Sequence, residues 1–150
     1  MIAVDTNILL YALHPGSRFR TPAFNFLRDI FKEGAERVGI TDYVLVELYN
    51  HLRNVAIMRK PLSPKEATEV VQSFWRFKNV TRIESAPIMD RVWDYAVETN
   101  FPRRRILDVR LALTLQHHGV TRFATANVKD FNGLGFEKVW NPLSESPRRR

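Results

Sequence analysis

The sequence contains no cysteine and only four histidines. Without a thiol the chain can have no disulfide, no cysteine nucleophile, no cysteine-ligated zinc and no iron–sulfur cluster. The histidines are His14, His51 and the adjacent pair His117 and His118, and none has a partner at the spacing that zinc sites use. A structural zinc is therefore not expected.

Long apolar runs are also missing. The first run, Ile2-Ala3-Val4, is broken by Asp5, well before the roughly 7–15 apolar residues of a signal-peptide core. No later stretch approaches the roughly 18 apolar residues that cross a bilayer. We therefore expect a cytoplasmic protein with no membrane association.

What the chain does contain is enough apolar sequence for one domain. Of its 150 residues, 45% are hydrophobic and 26% are charged, and a domain of about 150 residues buries roughly 68–70% of its unfolded surface. We expect a single domain over 1–143 and a flexible basic tail over 144–150. The formal net charge of +7 favours a polyanionic partner, although a basic chain can also simply be well solvated.

Strand and helix patterns alternate along the chain. Short apolar runs predict strands over 2–4, 38–40, 80–83, 122–125 and 136–140. Helical spacing predicts helices over 8–13, 21–33, 41–52, 63–75, 87–100 and 106–118, with a loop or short turn at 128–131. Thr21-Pro22 supplies an N-cap and a first-turn proline, and Ser63 with Glu66 forms a capping box. The alternation predicts an α/β fold in which helices cover both faces of a mainly parallel sheet.

Four acidic residues are expected at one edge of this sheet. They are Asp5 after the first strand, Glu47 in the first or second turn after the second, Asp108 at the start of the helix before the fourth, and Asp130 just after the fourth. Two carboxylates about 4 Å apart repel by about 1 kcal/mol in water and about 4 kcal/mol at an effective dielectric of 20, so the cluster needs a cation. Carboxylate oxygens favour Mg²⁺ or Mn²⁺, which can activate water and neutralise charge on a phosphate.

Most of these residues also have a plain structural interpretation. Glu47 could face solvent on an amphipathic helix, Asp108 could compensate the helix dipole, and Asp130 could cap a turn. Thr6 and Asn7 could cap the first helix, while Asn7 could instead orient a carboxylate or a water.

Four short motifs span nearly the whole chain in order. They are Val4-Asp5-Thr6-Asn7-Ile8-Leu9, Glu47-Leu48, Asp108 with Leu111 and Ala112, and Thr125-Ala126-Asn127-Val128-Lys129-Asp130-Phe131. Together they resemble the PIN domain family, in the form seen in VapC-type toxins of bacterial and archaeal toxin–antitoxin pairs. The resemblance implies a three-layer sandwich and a metal-dependent ribonuclease whose catalytic, metal-binding acids are Asp5, Glu47, Asp108 and Asp130. It also implies a homodimer and a small antitoxin partner.

The sequence departs from the family pattern at one position. Many members have an aspartate where this chain has Asn127, so the fourth acid is Asp130 or is missing. Asn127 offers only a neutral amide oxygen. Thr125 resembles the family's hydroxyl residue that supports the site, although it would also suit an ordinary strand.

Arginines flank Asp108. Arg103, Arg104, Arg105 and Arg110 are placed to bind RNA phosphates without reading sequence, with a solvated loop as the alternative. We assign six aromatic residues to the core or a dimer face rather than to base stacking, namely Tyr11, Tyr43, Tyr49, Phe74, Trp75 and Trp93.

The resulting hypothesis is a Mg²⁺- or Mn²⁺-dependent endoribonuclease that acts as the toxin of a type II toxin–antitoxin system. One alternative is a PIN nuclease of RNA processing with no antitoxin. Another is a non-catalytic domain that binds nucleic acid. A phosphotransfer domain is disfavoured, because Asn7 stands where a second acid would be needed and the expected site has no convincing lysine.

Overall fold

A five-stranded sheet forms the centre of the computed structural model, which describes residues 1–144. Its strands are β1 (Ile2–Val4), β2 (Val38–Thr41), β3 (Val80–Ile83), β4 (Arg122–Ala124) and β5 (Lys138–Trp140). They lie in the order β3-β2-β1-β4-β5, and each neighbouring pair is parallel. The expected α/β class and parallel sheet are confirmed.

The helices pack in two groups. The first group is α1 (Thr6–Leu13), α2 (Arg20–Phe31), α3 (Asp42–Leu52) and α4 (Pro64–Ser73), followed by a 3₁₀ turn at Phe74–Arg76. The second is α5 (Met89–Ala96), α6 (Arg105–His117) and α7 (Val128–Phe131). The chain reverses its direction across the sheet after β3, and because such crossovers are right-handed, the groups lie on opposite faces. This is the predicted three-layer sandwich.

The core sits where β1 and β2 are buried along their whole length. Gly39 in β2 shows how closely the layers approach, because a Cβ there would lie 2.5 Å from Cδ1 of Ile83. That distance is far inside van der Waals contact, so only glycine fits without displacing the Ile83 side chain.

The bounds of two predicted helices are wrong. The helix assigned to an N-cap at Thr21 begins at Arg20, and its N-cap, Phe19, makes no side-chain capping hydrogen bond. Pro22 is therefore the third helical residue, a position where a missing N–H costs no intrahelical bond. The helix expected from Pro87 to Asn100 is shorter, spanning Met89–Ala96, and Asn100 has a left-handed backbone (φ 66°).

Other expectations on local structure are met. The capping box of Ser63 and Glu66 is present with both of its hydrogen bonds. Residues 128–131, expected as a loop or short turn, form one helical turn. No helix among residues 1–144 is long and apolar enough to cross a membrane. Of the predicted tail, only Ser144 falls within the described residues.

Candidate active site

The candidate site lies at the carboxyl ends of β1 and β4. These strands are neighbours at the point where the strand order reverses, which is where open α/β sheets form a ligand-binding crevice. Asp5 follows β1 and Thr125 follows β4, and the Asp5 backbone N–H donates to the Ala124 carbonyl at 2.9 Å. The sheet itself therefore brings the first motif and the last motif of the sequence together.

Asp5 is the best-anchored acid, and only 8% of its surface is exposed. Its Oδ1 accepts from the Thr6 backbone N–H at 2.8 Å, so Asp5 caps α1. Its Oδ2 accepts from the Thr125 hydroxyl at 2.7 Å and the Asn7 amide at 3.4 Å. The expectation that Thr6 or Asn7 caps this helix is thus wrong, because both lie inside it, whereas the alternative that Asn7 orients a carboxylate agrees with the structure.

The pKa of Asp5 is raised from its usual 3.8 to about 6. Burial is the largest cause, and the charges of Glu47 and Asp130 add to it. The hydrogen bonds from Thr125 and Thr6 act in the opposite direction but do not cancel the burial. A carboxylate is thus held in a place where its negative charge is disfavoured.

Glu47 reaches the site from the second turn of α3. Its Oε1 accepts a hydrogen bond of 2.6 Å from the Thr6 hydroxyl, which is itself buried. Thr6 therefore fixes a carboxylate 41 positions away in the sequence, a role that local pattern does not reveal.

Asp108, in the first turn of α6, is half-buried. Its pKa is raised from 3.8 to about 6, first by burial and then by the charges of Asp130, Asp5 and Glu47, while Arg105 lowers it. The other three predicted acids therefore all lie within electrostatic range of Asp108, and we call these four residues the acid cluster.

Asp130 and Asn127 differ in their relation to this cluster. Asp130 is exposed on α7, and its charge acts on both Asp5 and Asp108. Asn127 precedes the helix, and within residues 1–144 its side chain makes no hydrogen bond to any of the four acids. Its backbone N–H donates to Thr125 Oγ1 at 3.0 Å.

Thr125 and Asn7 form the floor of the site. Thr125 is fully buried, and its hydroxyl oxygen also accepts from the Asn7 amide at 3.4 Å. The side-chain oxygen Oδ1 of Asn7 accepts from the Ala126 backbone N–H at 3.1 Å. This network ties the start of α1 to the segment after β4 and leaves Asp5 little freedom to move.

The four predicted RNA-binding arginines border the acids to different extents. Arg103 and Arg104 are exposed in the turn before α6, and Arg105 is close enough to Asp108 to lower its pKa. Arg110 is exposed on α6 and acts on Tyr43. Arg105 and Arg110 thus lie on the α6 side of the cluster, whereas the structure gives Arg103 and Arg104 only an exposed place in the preceding turn.

Tyr43 packs against the core, as expected, but it also has a place in the site that the sequence interpretation did not give it. It is half-buried beside the acids, and burial raises the pKa of its hydroxyl, with further contributions from Glu47 and Asp108. Its position in the first turn of α3, just beyond the carboxyl end of β2, was the signal that could have found it. Of the other aromatics, four pack on the core and Trp93 is 54% exposed; the four are Tyr11, Tyr49, Phe74 and Trp75.

The donor set of the cluster is made of carboxylates, with hydroxyl and amide oxygens beside them. This chemistry fits a hard divalent cation such as Mg²⁺ or Mn²⁺ and does not fit a soft one. The raised pKa values of Asp5 and Asp108 also mark a place where added positive charge is favourable. No three histidine, aspartate or glutamate side chains among residues 1–144 already converge tightly enough to hold one ion.

Comparison with known proteins agrees with this fold. The sequence model of the PIN domain family matches residues 2–136, and the chain belongs to that family. Within it, the chain is of the VapC type. It is 43% identical over 144 residues to Ribonuclease VapC24 of Mycobacterium tuberculosis, an alignment that covers 96% of this chain and 98% of the relative.

Solved structures support the same fold at lower sequence identity. The Mycobacterium tuberculosis VapC20 structure, described as a Sarcin-Ricin loop cleaving toxin, matches with a TM-score of 0.65 and 16% identity, covering 91% of this chain and 96% of that one. FitAcB from Neisseria gonorrhoeae matches with a TM-score of 0.61 and 18% identity, covering 96% and 99%. At these identities the similarity establishes the fold alone.

Proposed function

We propose that this protein is a metal-dependent endoribonuclease that hydrolyses RNA phosphodiester bonds in the cytoplasm, as the toxin of a type II toxin–antitoxin pair. The observation that carries the proposal is the cluster of Asp5, Glu47, Asp108 and Asp130 at the reversal point of the sheet. Extensive similarity to a protein named as a ribonuclease supports it.

The four acids are the residues that would hold Mg²⁺ or Mn²⁺. The ion, when bound, would supply positive charge to a phosphate and lower the pKa of a nearby water. The chain's own contribution is to fix the carboxylates in advance: Thr125 and the Thr6 backbone hold Asp5, and the Thr6 hydroxyl holds Glu47. Such preorganisation avoids the cost of ordering the site during the reaction.

Binding of RNA outside the acids would fall to basic residues. Arg105 and Arg110 border the α6 side of the cluster, and Arg103 and Arg104 are exposed in the turn just before α6. Their guanidinium groups suit phosphate oxygens and would offset the repulsion between the acids and the RNA backbone.

An antitoxin partner is supported by an apolar groove between α2 and the end of α4. Its lining includes Leu27, Phe31 and Phe74, and Phe24 and Phe77 at its mouth are 59% and 40% exposed. Grooves of this kind accept the apolar face of a partner helix.

A second copy of the chain is supported by a different surface. Met89 and Trp93 on α5 and Val97 at its C-cap follow one another at four-residue spacing and are 37%, 54% and 82% exposed. A convex apolar stripe of this kind can pair with itself across a two-fold axis. We therefore propose a homodimer through α5, leaving the groove at α2 for the antitoxin.

The decisive experiment is an RNA cleavage assay with the purified chain, free of any partner protein. Defined RNAs are incubated with Mg²⁺, with Mn²⁺ and with EDTA, beside an Asp5→Asn variant prepared identically. Cleavage is expected with either metal and in neither control. RNA that stays intact under every metal condition would overturn the nuclease proposal.

A further inference from the structure

A cavity of about 300 Å³ lies next to the acids, on the β2 and β3 side of the sheet. Three elements form its walls: Asp42 and Tyr43 at the start of α3, Glu84 and Ser85 just after β3, and a face of α6 that includes Arg110. Its volume is at the lower end of the roughly 300–1,000 Å³ of small-ligand sites. It suits one nucleobase rather than a larger structured element of RNA.

Tyr43 connects this cavity to the acids. It lines the cavity, and the charges of Glu47 and Asp108 act on its hydroxyl, while Arg110 on the opposite wall acts in the other direction. Since such effects weaken with distance, Tyr43 lines the cavity while lying within electrostatic range of the acids. An RNA strand with a phosphate at the acids would place an adjoining base at the cavity mouth.

The groups free to bind a ligand in this cavity include two carboxylates that accept hydrogen bonds, on Asp42 and Glu84, and the Arg110 guanidinium, which donates them. The Thr41 side chain is used in capping α3, and the Thr114 hydroxyl donates to the Arg110 carbonyl. Within residues 1–144 the carboxylates of Asp42 and Glu84 have no hydrogen-bond or ion-pair partner. Both acids are exposed, and they face the Arg110 guanidinium across the cavity. This arrangement suits a ligand that donates hydrogen bonds on one edge and accepts them on another.

We propose that this cavity recognises one unpaired guanine base next to the bond that is cut. The proposal rests on the nuclease function proposed above and adds its base specificity. Guanine presents N1–H and N2–H₂ side by side, so it can donate two parallel, charge-assisted hydrogen bonds to one carboxylate of Asp42 or Glu84. Uracil would turn carbonyl oxygens toward the same acids. The Tyr43 ring and Leu107 supply an aromatic and an apolar surface against the base.

The test measures binding in EDTA, so that it does not depend on cleavage. The probes are fluorescent uridine hexamers that carry one central guanosine or one central inosine, which lacks only the N2 amino group. Wild type is expected to bind the guanosine probe about tenfold more tightly, because a bidentate base contact contributes about 1–3 kcal/mol of discrimination.

The variant that decides the matter is the double change Asp42→Asn with Glu84→Gln. It should bind both probes at least as tightly as wild type binds inosine RNA, because two negative charges are gone, and it should lose the preference. Glu69→Gln, an exposed acid on α4, is the matched control and should keep the preference. Equal affinities of wild type for the two probes, or a preference that survives in the double variant, would overturn the proposal.

Cleavage of a randomised RNA pool separates this proposal from the nuclease function. Cleavage with guanine enriched beside the cut, lost in the double variant, supports both. Cleavage without base preference, together with equal binding of the probes, overturns the guanine pocket alone. No cleavage with a retained binding preference overturns the nuclease function and leaves the guanine pocket supported.

Discussion

In the part of the chain that the structure describes, charged side chains are paired at one end of the central sheet and unpaired at the other. At the amino ends, Glu36 pairs with Arg122 and lies 3.8 Å from the N-terminal amine, and Lys78 pairs with Glu33 at 2.7 Å. At the carboxyl ends, four acids lie together, and within residues 1–144 none of them forms an ion pair; they are Asp5, Glu47, Asp108 and Asp130.

The contrast indicates that the amino-end charges belong to the fold, whereas the carboxyl-end charges belong to a ligand-binding site. The amino-end residues satisfy one another, so their charges cost little in the folded chain. At the carboxyl end, burial and mutual repulsion raise the pKa of Asp5 and of Asp108 to about 6. A folded protein keeps such unfavourable charges mainly where a function requires them.

The largest expected effect comes from Asp5→Asn at the carboxyl end. Cleavage should fall by more than about 100-fold, the upper end of what loss of an outer-shell partner costs, because the best-anchored charge of the site is gone. The chain should stay folded, since the side chain keeps its size. Rates at limiting Mg²⁺ measure the effect, with circular dichroism as the folding control. Full activity would remove Asp5 from the site.

The same residue should make stability depend on pH in metal-free buffer. Because the folded-state pKa of Asp5 is raised to about 6, the native state binds more protons than the unfolded state between about pH 4 and pH 6. Stability should therefore fall as pH rises through this window, by up to about 3 kcal/mol from Asp5, and level off above it. Asp108 adds to the fall in the same direction.

Urea denaturation in EDTA at pH 4 and pH 7 tests this dependence. Asp5→Asn should show a smaller fall and be at least as stable as wild type at pH 7. Identical pH dependence in the two proteins would show that the ionisation of Asp5 does not lower the stability of the folded state.

Sequence patterns located the acids well because their positions depend on local order. Asp5 directly follows a short apolar strand, and parallel strands end at a common edge, so its place could be predicted without tertiary contacts. The Thr6 to Glu47 hydrogen bond and the placement of Tyr43 depend instead on how α1 packs against α3 and where β2 ends. The start of α2 was missed because Phe19 caps it without a side-chain hydrogen bond.

The next largest effect on cleavage is expected near Asn127, where the sequence departs from the family pattern. Asp130→Ala should impair metal-dependent cleavage by 10-fold or more, because its charge acts on Asp5 and Asp108; an effect of about 10–100-fold fits an outer-shell role, and a larger one fits direct ligation. Asn127→Ala should have the smaller effect. Mg²⁺ titrations of both variants make the comparison. If Asn127→Ala is the more damaging change and Asp130→Ala is silent, the site contains only three acids.

A smaller change is expected when positive charge is removed beside the cluster. Replacing Arg103, Arg104 and Arg105 with alanine should raise KM and flatten the salt dependence of RNA binding, by up to about 0.7 in the log–log slope for each phosphate that the arginines no longer neutralise. The same three positions changed to lysine keep the charge and should keep the slope. An unchanged slope in the alanine variant would leave these arginines as solvated residues only.

The smallest effect is expected at the opposite end of the sheet, and it completes the contrast. Glu36→Gln removes the partner of Arg122 and of the N-terminal amine. The side chains of Arg122 and Glu36 are 38% and 44% exposed, so solvent already screens their interaction. The loss of stability should be below about 1 kcal/mol, and it should shrink further in high salt.

Cleavage by Glu36→Gln should be unchanged, because the residue lies at the amino ends of the strands, away from the acids. Urea denaturation at two salt concentrations and the RNA assay measure the two quantities. Asp5→Asn should therefore reduce activity with no loss of stability, whereas Glu36→Gln should reduce stability with no loss of activity. A Glu36→Gln protein with strongly reduced cleavage would mean that the two ends of the sheet are coupled.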